Sequence, residues 1–109
     1  MKELTLDYKR TAESSELAIY IINTGRIYNG MTTGIIKKLA KKYEKGTFET
    51  EKALKAFYNL ATEGAKMYAR EFSNANDWKF IFSVSDRKLT ACELLEYYFE
   101  NINGSNPIN

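Results

Sequence analysis

From Glu51 to Phe72, the apolar residues Leu54, Phe57, Tyr58, Ala61, Ala65, Tyr68 and Phe72 recur at steps of three and four. Lys52, Lys55, Asn59, Glu63, Lys66 and Arg70 occupy the opposite side. A period near 3.6 sustained over some six turns demands a helix with one buried face, and that face must find other elements to cover it. The only proline is Pro107, so nothing earlier in the chain breaks a helix.

The remaining segments are read against this helix. Ser14 and Ser15, followed by Glu16, would start a helix through Leu17, Ala18, Tyr20 and Ile21 that ends at Asn23-Thr24-Gly25. The unbroken apolar run Leu17 to Ile22 would also serve as a buried strand. Ile27, Met31, Ile35 and Leu39 recur every fourth residue and predict a helix from about Arg26 to Lys45, with Gly46 as a left-handed cap. Thr47 to Thr50 form a connector, with Thr50 a candidate N-cap. Trp78 to Phe82 fit either a strand or a helical turn and are expected to lie as an apolar lid on the core. Ser83 and Asp86 have the spacing of a capping box. Leu89, Cys92, Leu95, Phe99 and Ile102 then mark a last helix, followed by a frayed tail over 104–109. At 109 residues and 44% apolar content, the expectation is one all-α domain, a compact four-helix bundle.

Composition narrows the chemistry. The chain has no histidine, which removes the usual general base at neutral pH and the commonest zinc ligand. Its single cysteine, Cys92, cannot form an internal disulfide and is expected in the core, as in a chain folded in a reducing compartment. No serine or cysteine has a base at a recognisable spacing, so no catalytic residue, metal site or cofactor is assigned and the expectation is a protein that is not an enzyme. Glu93, Glu96 and Glu100 are expected on a solvated face. Gly30 and Gly34 lack the ending of a phosphate loop and are expected where another helix backbone comes close. No apolar run approaches the ~20 residues needed to span a bilayer, and residues 1–10 do not have the pattern of a secretory signal. A cytosolic location, with no membrane partner, is the expectation.

Charge points to one surface. Residues 26 to 70 hold ten basic and four acidic side chains, whereas residues 89 to 109 hold three acids and no base. Lys37, Lys38, Lys41, Lys42 and Lys45 fall on one side of the predicted second helix, with Arg26 near its start. Such a stripe could meet an acidic protein surface, the phosphates of a nucleic acid, or water alone. The net charge of +2 is modest for a dedicated nucleic-acid domain. Among the eight tyrosines, Tyr97 lies nearly opposite Leu95 and Phe99 on a helix and is the exposed candidate for an interface. The predicted partner-binding set is therefore Arg26, Lys37, Lys38, Lys41, Lys42, Lys45 and Tyr97, and a homo-oligomer is left open.

Three segments carry a resemblance. Asn23-Thr24-Gly25-Arg26-Ile27-Tyr28-Asn29, Ile35-Ile36-Lys37-Lys38-Leu39 and Lys45-Gly46-Thr47-Phe48, the last followed by Lys52-Ala53, resemble a pattern in small phage and mobile-element proteins. The resemblance implies an accessory protein that binds and disables a host protein or ribonucleoprotein, such as a restriction or CRISPR component. It transfers no functional residues. The weakly basic charge departs from the acidic surface of DNA-mimicking inhibitors.

Overall fold

The computed structural model describes residues 4, 6–24, 29–72 and 78–105. Four α-helices carry the fold: α1 (Ala12–Thr24), α2 (Asn29–Glu44), α3 (Thr50–Phe72) and α4 (Val84–Ile102), with a 3-10 turn at Trp78–Phe80. No strand occurs among the described residues, and the architecture is an all-α bundle. Its Cα radius of gyration is 13.7 Å, close to the ~13 Å expected for a folded domain of about 100 residues.

Helix α3 is the central element and packs against α1, α2, α4 and the 3-10 turn. Its buried side is built from Ala53, Phe57, Leu60, Ala61, Gly64, Ala65 and Ala69. Small residues on this face let neighbouring backbones approach closely. Gly64 is the extreme case, because a Cβ built there would lie 2.5 Å from Ile21 Cγ1 and 2.6 Å from Ile21 Cδ1 of α1. The close-packing role expected of Gly30 and Gly34 belongs to Gly64 instead. Nothing lies within 4 Å of a Cβ at either α2 glycine, because both sit on the side of the helix that no other element among the described residues covers. Phe72, expected on the buried face, is 60% exposed, edge-on to Tyr20 and tilted against Tyr68.

Caps fix the helix ends. Gly46, at φ +75°, closes α2 as expected: the Thr47 N–H donates to the Lys42 carbonyl at 2.8 Å and the Gly46 N–H to Tyr43 at 3.1 Å. This pair is the Schellman pattern, which needs a left-handed residue and so favours glycine. The Ser83 hydroxyl accepts from the Asp86 N–H at 3.0 Å and Asp86 Oδ2 accepts from the Ser83 N–H at 3.1 Å, so the predicted capping box starts α4. The Glu49 carbonyl already accepts from Ala53, so Thr50 is the first helical residue of α3 and not its cap. Trp78 to Phe82 form no strand. Phe82 is buried at 1% exposure, whereas Phe80 stands out at 88%, so only part of this segment covers the core.

The largest departure from the sequence expectation is the seam between α1 and α4. Helix α1 begins two residues before Ser14, because Thr11 supplies the cap: Thr11 Oγ1 accepts from the Ser14 N–H and Ser14 Oγ from the Thr11 N–H, both at 2.9 Å. Ser14, fully buried, then faces Glu93 Oε1 across the seam at 2.8 Å, and the Thr90 hydroxyl lies 3.0 Å from the Ser14 carbonyl. Thr11 Oγ1 meets Asp86 Oδ1 at 3.0 Å, and Glu96 Oε1 accepts from the Leu6 N–H at 3.0 Å. Glu93 and Glu96 are therefore partners of α1 and the strand of chain before it, while Glu100 stays exposed as expected. A polar seam of this kind is stabilising only when its groups are satisfied, since a buried donor or acceptor left alone costs ~1–3 kcal/mol.

Candidate functional site

Helix α2 turns Thr32, Ile36 and Leu39 to the core, at 5%, 2% and 4% exposure. On 3.6-residue spacing the opposite side belongs to Lys37, Lys38 and Lys41, continued by Lys45 in the turn just beyond the helix, all exposed, with Lys42 half-buried at its edge. Three ion pairs exist among the described residues, and none uses an α2 lysine. Lys37 and Lys41, Lys38 and Lys42, and Lys41 and Lys45 are like charges four residues apart, each pair costing an isolated helix about 0.2–0.5 kcal/mol. Near the C-terminal end the helix dipole offsets part of that cost for Lys41, Lys42 and Lys45. Lys37 and Lys38 lie farther from that end and gain less.

The other members of the predicted set are placed differently. Arg26 lies outside the described residues. Tyr97 is 57% exposed, as expected, with its ring 4.9 Å from Tyr98 and edge-on to it. Tyr98 in turn stacks on Phe57 of α3 at 6.1 Å, which holds the pair on α4. No ring or cation–ring contact among the described residues joins Tyr97 to a lysine of α2. The geometry supports the lysine stripe as one surface and leaves Tyr97 as a separate exposed ring.

Cys92 is half-buried and not interior, because it borders a groove between α3 and α4. Burial, and then the charge of Glu96, push its thiol pKa above the ordinary value, so it stays protonated at neutral pH and is a weak nucleophile. Among the described residues no three His, Cys, Asp or Glu side chains come together as metal ligands would. No helix among them is long and apolar enough to cross a membrane.

Sequence reasoning missed Arg87. It is only 6% exposed, and no carboxylate among the described residues pairs with it. Its Nη1 donates to Tyr58 Oη at 3.1 Å and to Thr62 Oγ1 at 3.2 Å, while its Nε has no partner. The guanidinium carbon lies 4.7 Å from the centre of the Trp78 ring and 5.5 Å from that of Tyr58, so ring faces and neutral oxygens replace an anion. The signal was present in the spacing, since Arg87 precedes Ala91 and Leu94 by four and seven residues and falls on the buried stripe of α4. Comparison of the chain with protein-family models, curated proteins and solved structures yields no match.

Proposed function

We propose that this chain is a non-catalytic binding module that docks an acidic surface of another macromolecule on the outward face of α2. The observation that carries the reading is the set Lys37, Lys38, Lys41 and Lys45: exposed, without ion pairs among the described residues, and repelling one another along one helix side. A face selected only for solubility would interleave carboxylates, whereas α2 contains a single acid, Glu44, at its end. An acidic partner surface would relieve the repulsion and speed encounter. The resemblance to small phage and mobile-element proteins makes that partner a host protein or ribonucleoprotein, with inhibition of a defence system as the outcome. Nucleic acid is the alternative. It is disfavoured because the exposed side of α2 among the described residues offers no arginine fork and no aromatic platform.

The test uses the chain and its Lys37→Glu, Lys38→Glu, Lys41→Glu, Lys45→Glu variant as baits in nuclease-treated host lysate at low salt. The expected result is a partner crosslinked through these lysines to the parent and lost from the variant. Equal recovery by both baits would end the proposal. A gel shift at ~50 mM salt that vanishes by ~200 mM would move the reading to nucleic acid, because phosphate contacts release counterions.

A further inference from the structure

A second surface stands apart from the lysines of α2. Leu54, Lys55 and Tyr58 of α3 and Lys88, Ala91 and Cys92 of α4 line a groove of about 300 Å³, at the small end of the range for ligand sites. The other notable cavity, about 110 Å³ among α1, α2 and α3, has both Glu63 and Arg70 in its wall and so no single charge preference. Among the described residues, the only charged side chains that line the α3–α4 groove are the two lysines. Both are exposed, and neither is in an ion pair among the described residues. The rest of the lining is apolar or aromatic. The protonated Cys92 thiol adds a weakly polar atom, and Tyr58 Oη already accepts from Arg87. Val84, 51% exposed and one turn before Lys88, continues the apolar line along α4.

We propose that this groove binds an aliphatic monocarboxylate, its tail on Leu54, Tyr58, Ala91 and Cys92 and its head between Lys55 and Lys88. The charge set selects an anion over a neutral or cationic amphiphile, since no acid lines the groove. An aliphatic tail suits it better than a peptide, because a bound backbone needs acceptors for its N–H groups and this lining, with its two ammonium donors, offers few. A half-open groove recovers part of the transfer energy of each methylene, so affinity rises about two- to fourfold per added carbon.

Cys92, the only cysteine, reports occupancy directly through its rate of alkylation by iodoacetamide at pH about 8.5, near the ordinary thiol range. The probes are octanoate, decanoate, decanol and decyltrimethylammonium, each below its micelle concentration, and phosphatidylglycerol vesicles. Decanoate is expected to protect Cys92 saturably below about 1 mM, octanoate about tenfold more weakly and decyltrimethylammonium not at all. In the Lys55→Glu, Lys88→Glu variant the preference inverts: decanoate loses its protection and decyltrimethylammonium gains it. Inversion requires a folded groove, so it separates lost charge selection from lost structure. Equal protection by decanoate and decanol, protection by vesicles alone, or no inversion in the variant would overturn the proposal.

Discussion

Gly34 and Gly64 sit inside helices of one bundle and meet opposite surroundings. In α3, Gly64 is where Ile21 presses closest, with Leu17 beside it and the buried alanines Ala61 and Ala65 next on its own helix. In α2, Gly34 has nothing within 4 Å of where a Cβ would stand, and the exposed side of its helix holds lysines that form no ion pair among the described residues. The contrast separates residues chosen by packing from residues that packing leaves free. Against α3 even a buried cation, Arg87 of α4, is fitted to Tyr58 and Thr62. On the outer side of α2 the fold exerts almost no such demand, which is why a functional reading belongs there.

The sharpest way to probe the packed side is Arg87→Ala. It removes the filling between two rings and should lower unfolding free energy by about 2–4 kcal/mol, read from the urea midpoint. Arg87→Met should recover most of that loss, because no carboxylate is left behind unpaired and much of the volume returns. A midpoint unchanged in Arg87→Ala would mean that the guanidinium is not part of the packing. Next in size is Gly64→Ala, where overpacking against Ile21 outweighs the gain in helix propensity for a net loss of about 1 kcal/mol. The same substitution at Gly34 should act in the opposite direction, stabilising by about 0.5–1 kcal/mol. If both glycine variants moved the melting temperature the same way, the contrast between the two helices would fail.

The smallest effect concerns pH. Burial, then the nearby Tyr97, raise the Tyr98 pKa above the ordinary phenol value, and the hydrogen bond to Glu16 raises that of Tyr68. Both groups hold their protons more tightly in the folded chain. The stability they contribute is complete below about pH 10 and is lost as pH rises through their folded values. Urea midpoints should fall as pH rises above about 10, and less steeply in Tyr98→Phe. An identical slope in that variant would locate the alkaline sensitivity elsewhere.

Much of this architecture was legible from spacing. The long α3 stripe, the Gly46 cap, the Ser83–Asp86 box and the outward lysines all follow from local rules that need no knowledge of neighbours. The Thr11 cap, the pairing of Ser14 with Glu93 and the close approach at Gly64 were not legible, because each depends on which helix lies opposite. A serine or glutamate on a helix reads the same whether it meets water or a partner 79 residues away. Cys92 was misplaced for a related reason: periodicity gives a direction around the helix axis, but not the distance to the next element.

The polar stitching of α1 to α4 has a consequence for synthesis. Leu6 bonds to Glu96 across 90 positions and Ser14 to Glu93 across 79, so α1 leaves the ribosome long before its partner exists. At the ~5–20 residues per second of translation, α1 waits for several seconds with those groups held by water, and the bundle closes late. A nascent chain stalled before residue 93 would therefore leave α1 open to proteases and chaperones.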